Sequence, residues 1–316
     1  MARAACVGIS LAMARPLAAP PKIFDRQRYA ARRSRAAAKF ADYDYLRQQV
    51  AGDLESRLGD TPRRFEHGLE LGAAGGALSQ KLLATGKVAR MLAADIAPAF
   101  TQMAQAIGLE AATIDEEHLP FPEATFDLVL APLTLHWVND LPGVLIQIRR
   151  ILKPDGLFLG ALFGTGTLAE LRTVLTEAET ELTGGLAPRF SPLPGLRDMA
   201  GLMQRAGFAL PVADRDAVDV TYRHPAILLS DLKGMGERAS FVAGTSRALS
   251  APVLARAAEL YAERFAAPHG RVRASFEIVH VSGWAPGPGQ PQPLKPGSAR
   301  VSLADAIKRA SSQLEP

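Results

Sequence analysis

Leu69-Glu-Leu-Gly-Ala-Ala-Gly-Gly76 ends a short apolar run that starts at His67, and it opens a stretch with Leu78, Leu82 and Leu83 on one helical face. The order reads as strand, glycine-rich turn and helix, with Gly86 placed to end the helix. In a parallel sheet such a turn lies at the carboxyl end of its strand, where open α/β sheets bind their ligands. Glycines let the backbone come close to a ligand, and the start of the helix offers free N–H groups to a carboxylate. On its own the turn also fits other nucleotide folds, or plain packing of a helix on a strand.

The same alternation continues outward. Residues 91–94 form a second strand running into Asp95, residues 111–114 a third running into Asp115, and residues 126–130 a fourth. Val144, Leu145, Ile148, Ile151 and Leu152 follow at helical spacing, then the turn Lys153-Pro-Asp-Gly156 and a fifth strand over residues 157–162. Strands alternating with helices predict a doubly wound parallel sheet. Leu168, Leu171, Leu175, Ala178 and Leu182 mark a further amphipathic helix ended by Gly184-Gly185. Residues 224–266 read as helical, and residues 276–284 alternate as a last strand. The expected division is an extension or targeting segment over 1–22, a helical lid over 23–65, and the ligand-binding domain over 66–223. A helical cap over 224–270, the last strand over 271–285 and a Pro/Gly-rich tail over 286–316 complete it.

Three acids stand at successive strand ends: Glu70, Asp95 and Asp115. An acid after the second strand can accept from both hydroxyls of a ribose. One after the third is placed for the exocyclic amine of adenine. Glu70, beside the glycine-rich turn, favours an ammonium group and disfavours a pyrophosphate, which argues against NAD. Asp95, at a strand end, is expected to be replaceable by Ala without loss of the fold.

Composition narrows the class. The chain has 316 residues, 48% of them hydrophobic and 22% charged, which suits one large core rather than a disordered chain. The net charge of +4 owes much to Arg26, Arg28, Arg32, Arg33, Arg35 and Lys39, which read as a solvated helix face. Aromatic residues make up 6% and do not interleave with this run, so no nucleic-acid partner is expected. Cys6 is the single cysteine, which excludes an internal disulfide and a thiolate metal site. The six histidines form no His-x-Asp or His-x-Glu pair, and no metal site is expected. The apolar stretch over residues 4–14 is too short to span a membrane, so membrane contact is expected only at the periphery, through a partner.

Taken together, Leu69-Glu-Leu-Gly-Ala-Ala-Gly-Gly76, Ala94-Asp-Ile96, Asp115-Glu-Glu-His-Leu-Pro-Phe121, Phe126-Asp-Leu-Val129 and Leu152-Lys-Pro-Asp-Gly156 resemble the motifs of class I S-adenosylmethionine-dependent methyltransferases. The resemblance implies a seven-stranded Rossmann-like sheet. It also implies S-adenosylmethionine as cofactor, held by Glu70, Gly72, Ala74, Gly76, Asp95, Ile96, Asp115, Glu116 and Leu133. Ala74 stands where that family usually has the middle glycine.

A closer likeness covers residues 22–302. Ile23-Phe-Asp-Arg26, Leu135-His-Trp-Val-Asn-Asp140, Gly160-Ala-Leu-Phe-Gly164, Thr167-Leu-Ala-Glu-Leu-Arg172, Asp231-Leu-Lys-Gly-Met-Gly236 and Gly297-Ser-Ala299 resemble the complex I assembly factor 5 family. This implies hydroxylation of an arginine in a core complex I subunit, in a bacterial cytoplasm or, alternatively, a mitochondrial matrix. His136 reads either as a general base or as a packed residue bonded to backbone. Trp137 reads as a wall of the adenosine or substrate pocket, and Phe24 and Tyr29 as substrate or lid contacts. Two rival functions are an O-methyltransferase of small or carrier-bound carboxylates (malonyl-carrier type) and a non-catalytic cofactor-binding chaperone.

Overall fold

A computed structural model describes residues 21–242, 248–290 and 302. Five parallel strands form the centre: β1 (Phe65–Leu71), β2 (Val88–Asp95), β3 (Glu110–Thr113), β4 (Phe126–Pro132) and β5 (Leu152–Phe163). β6 (Ala209–Tyr222), the two-residue β7 (Ala266–Ala267) and β8 (Arg271–Trp284) complete the sheet. The strand order is β3-β2-β1-β4-β5-β8-β6, with β7 paired to β8 off this path. β8 runs antiparallel to both β5 and β6. Chain order reverses between β1 and β4, so the crevice at the sheet's switch point opens beyond their carboxyl ends.

Nine helices are seen among the described residues: α1 (Arg26–Ala37), α2 (Tyr45–Gly59), α3 (Ala77–Ala84), α4 (Pro98–Ala106), α5 (Leu141–Ile151), α6 (Ala169–Thr183), α7 (Leu196–Arg205), α8 (Pro225–Gly234) and α9 (Ala251–Arg264). α2, α3, α6 and α9 bury their apolar stripes on one face of the sheet. α5 and α7 bury theirs on the other. In α5 the spacing Val144, Leu145, Ile148, Ile151 places four fully buried side chains on the sheet, each contributing about 1.5–3 kcal/mol on transfer from water. Asp140 caps this helix by accepting from the Gly143 N–H at 2.9 Å.

Three details differ from the sequence expectation. Lys153-Pro-Asp-Gly156 is not a turn between elements but a bulge inside β5. Phe126 pairs with Leu152 and Leu128 with Leu157, and Asp155 takes a left-handed φ of 59°. The expected helical run over 224–266 is two helices, α8 and α9, separated by an irregular stretch in which residues 243–247 lie outside the described residues. Leu182 belongs to the stripe of α6 by spacing yet is exposed, as are its neighbours at 181 and 183 in that helix's last turn. The expected extension (residues 1–20 of 1–22) and most of the tail also lie outside the described residues.

Candidate functional site

The glycine-rich turn follows β1 directly. Gly72 has φ 63°, and a Cβ there would lie 2.5 Å from the Thr134 Cβ, so a side chain would push apart the ends of β1 and β4. Gly76 has φ 83° and would collide with Leu109. Between them Ala74 is forced to φ 47°, where an L-residue clashes with its own backbone. Ala74→Gly should therefore raise stability by about 0.5–1 kcal/mol, after the looser unfolded chain is allowed for. A denaturant midpoint that stays put or falls would show that the turn holds no such strain.

All four acids meet in the crevice, and each is already paired. Three arginines from α1 and α2 reach into it. Asp95, 1% exposed, takes the guanidinium of Arg33 through Nη2 at 2.7 Å and Nε at 3.3 Å. It also accepts from the N–H groups of Ala74 (3.0 Å) and Ala97 (2.9 Å). Burial alone would raise the Asp95 pKa, but Arg33 and these donors hold it below the ordinary carboxylate value. Glu70 accepts from Arg47 at 2.9 Å, and from the Ser79 N–H and hydroxyl at 3.1 and 2.6 Å. Here burial outweighs Arg47, and the Glu70 pKa is pushed up. Arg26 binds Asp115 at 2.8 Å and also meets Glu116, which accepts from the Thr134 hydroxyl at 2.8 Å. Glu116 is likewise pushed up by burial, against the pull of Arg26.

The basic run is thus corrected. Arg33 is only 2% exposed, and its side chain faces inward with that of Arg26. Arg35 and Lys39 keep the exposed position expected of the whole run, while Arg28 and Arg32 are half-buried and donate to the carbonyls of Phe241 and Arg238. The signal was present as spacing: Arg26, Tyr29, Arg33 and Ala36–Ala37 share one stripe of α1, with two small residues where it crosses α4. The premise that Asp95, as a strand-end residue, lies outside the core is corrected too, since it is a buried partner of a buried charge. Arg47, Ser79 and Thr134 carried no motif of their own.

Leu133 follows β4 with a left-handed φ of 50° and is buried. It lines a small cavity of about 20 Å³ together with Arg33, Arg47 and Glu237. Such a space admits water and excludes a nucleoside. The acceptor set is of the kind that suits S-adenosylmethionine: carboxylates that now accept from guanidinium groups could accept instead from an ammonium, ribose hydroxyls or an adenine amine. Ile96 packs with Phe24, Tyr29, Trp137 and Phe241 at the side of this crevice.

Leu135-His-Trp-Val-Asn-Asp140 joins the crevice to a second, larger cavity. The Asn139 Oδ1 accepts from the N–H groups of Ile23 (2.7 Å) and Phe24 (2.8 Å), which fixes where α1 enters. Trp137 stacks on Tyr29 with centroids 5.2 Å apart and meets Phe24 edge-on at 5.2 Å. The Trp137 Nε1 donates to Glu237 Oε2 at 2.7 Å, and the His136 Nε2 lies 3.0 Å from the same oxygen. His136 is buried, not bonded to backbone, and its Nδ1 has no hydrogen-bond partner among the described residues. The Tyr29 hydroxyl also lacks one, and burial raises its pKa. The larger cavity, about 810 Å³, is lined by His136, Trp137, Phe163, Arg172, Lys233 and Glu237 among others. Glu237 is the one acid lining it among the described residues, and it also lines the smaller cavity. Sequence reading missed Glu237, although it directly follows the quoted Gly-Met-Gly236.

Residues 69–160 match the methyltransferase domain family. The arginine-hydroxylase NDUFAF5, mitochondrial, of Danio rerio is 40% identical over 268 residues, covering 84% of this chain and 83% of the relative. The human protein of that name is 40% identical over 269 residues, 84% of this chain and 77% of the relative. A malonyl-[acyl-carrier protein] O-methyltransferase of Halorhodospira halophila is 33% identical over 266 residues, with 81% and 86% covered. Among solved structures, the YcgJ protein of Bacillus subtilis superposes with a TM-score of 0.54 at 15% identity. That superposition covers 76% of this chain and 99% of the other, and it supports the fold alone. With the four-acid crevice and the reversal of strand order at β1 and β4, these likenesses establish that the chain belongs to the NDUFAF5 arginine-hydroxylase family of the class I S-adenosylmethionine-dependent methyltransferase superfamily.

Proposed function

We propose that this enzyme binds S-adenosylmethionine in the β1–β4 crevice and modifies an arginine side chain of a protein partner, by hydroxylation, during respiratory complex I assembly. The observation that carries this is Glu237. A carboxylate held by two aromatic N–H groups, at the neck between two cavities, is a receptor for a guanidinium. The names of the relatives point to the same side chain. When bound, S-adenosylmethionine would supply a sulfonium-activated methyl group, which hydroxylation does not use; inserting one oxygen into a guanidinium takes dioxygen and a two-electron reductant as co-substrates, the second oxygen leaving as water. Of this chain's own residues, Glu237 binds and orients the cation, and Trp137 and Phe163 wall it from water. His136 Nε2 lies beside the same Glu237 oxygen as the Trp137 Nε1 and helps hold it in place. Phe24 and Tyr29 act as the lid, because α1 closes the crevice through Arg26 and Arg33. The mitochondrial setting in the relatives' names favours the matrix over a bacterial cytoplasm. No helix among the described residues is long and apolar enough to cross a membrane.

A second reading, O-methylation of a carrier-bound carboxylate, is favoured by the Arg172 Nε, which is buried without a hydrogen-bond partner, and by Lys233 in the same cavity. Mass spectrometry of a core complex I subunit incubated with the full chain, S-adenosylmethionine, dioxygen and a reductant separates the two. A gain of one oxygen on a single arginine supports the proposal. An unmodified subunit, together with methylation of a malonyl carrier, sinks it.

A further inference from the structure

Three elements far apart in sequence converge on the outer part of the sheet. His280 on β8, Asp216 on β6 and Asp53 on α2 place their ligand atoms within 4.8 Å of one another. β6 and β8 are antiparallel neighbours in which His280 is opposite Asp214, so Asp216 stands diagonally beside His280 on the same face. The His280 Nε2 lies 3.4 Å from Asp216 Oδ2 and 3.9 Å from Asp53 Oδ2.

The imidazole is unusual in its surroundings. It is 1% exposed, and neither ring nitrogen has a hydrogen-bond partner among the described residues. A buried polar ring left in that state is costly. Burial, and then the nearby Arg57, lower its pKa against the pull of Asp214, Asp216 and Asp53. Arg57 is near enough to interact electrostatically with both carboxylates but makes no ion pair with either. Both of its Nη atoms are committed to Asp214, at 2.7 and 2.6 Å. Asp53 and Asp216 have no other ion pair or hydrogen bond among the described residues, and their side chains are 41% and 56% exposed. Two carboxylates with no other partner among the described residues therefore face an imidazole that has no hydrogen bond there either, and their own exposure leaves a path to solvent.

We propose that His280, Asp216 and Asp53 form a binding site for a divalent transition-metal ion of the Zn(II), Fe(II) or Mn(II) class. With metal–ligand bonds of about 2.0–2.2 Å, donor atoms at the corners of a tetrahedron stand about 3.3–3.6 Å apart. The His280–Asp216 separation already has this value, and Asp53 reaches it by a small rotation of an exposed side chain. One imidazole nitrogen and two carboxylate oxygens select a borderline ion over Ca²⁺ or Mg²⁺, which prefer all-oxygen sets. The remaining coordination positions face solvent. α2 also carries Arg47 to Glu70, so a metal here anchors the helix that guards the crevice to the β6–β8 edge. No contiguous motif announces such a site, because its ligands come from three separate elements.

Equilibrium dialysis of the full chain against micromolar Zn(II), with metal counted by mass spectrometry, is the direct test. One equivalent per chain is expected, with a rise in melting temperature. Asp216→Asn and Asp53→Asn change exposed side chains and leave the core intact. Each should weaken Zn(II) binding at least about tenfold and abolish the thermal shift. Co(II) bound in place of Zn(II) should show visible absorption that is lost in His280→Gln. Failure to retain Zn(II), or equal retention by the wild type and both Asn variants, overturns the site.

Discussion

Asp95→Ala should lose about 3–5 kcal/mol of stability, since it strands the Arg33 charge in a buried site. The loss has a second part. The N–H groups of Ala74 and Ala97 lose their acceptor, which loosens the glycine-rich turn as well. The double variant Arg33→Met with Asp95→Ala should be more stable than Asp95→Ala alone, because only the two amides then remain unpaired. Arg33→Met by itself leaves a carboxylate with free acceptor sites in the crevice. It should bind S-adenosylmethionine more tightly than the wild type, on the order of tenfold, because no guanidinium has to be displaced. Denaturant midpoints and calorimetric titrations on the three proteins read both effects. Wild-type stability in Asp95→Ala would mean that Arg33 and Asp95 do not form a buried pair.

Glu237→Gln should abolish most turnover while leaving the fold and cofactor binding intact. The substitution keeps the volume and one oxygen for the Trp137 Nε1, so the neck between the cavities keeps its shape. It removes the charge that a guanidinium would meet, and charge-assisted hydrogen bonds contribute about 1.5–3 kcal/mol each. Two such bonds correspond to a loss of at least about a hundredfold in kcat/KM. Single-turnover assays with the subunit, beside calorimetry with S-adenosylmethionine, separate acceptor binding from cofactor binding. Undiminished modification by Glu237→Gln would remove this residue from the acceptor site. Enhanced activity toward a carboxylate acceptor would shift the assignment to the methyl-transfer reading.

Periodicity and local motifs determined the sheet, the placing of the glycine-rich turn and the convergence of Glu70, Asp95, Asp115 and Glu116 on one crevice. Each of these follows from contiguous residues: continuous buried runs along β1, β2 and β4, the 3.6-residue stripe of α5, and glycines at the positive φ of the turn. What fills the crevice was decided only by the tertiary structure. Whether Arg33 points to water or to Asp95 depends on how α1 crosses α4, and that is set by packing among Tyr29, Phe24, Trp137 and Ile96. Glu237 joins His136 and Trp137 across a sequence gap of about a hundred residues, and His280 meets Asp53 and Asp216 from three elements. Side-chain chemistry of this kind is long-range in sequence and short-range in space, so it becomes visible only once the backbone has brought its partners together.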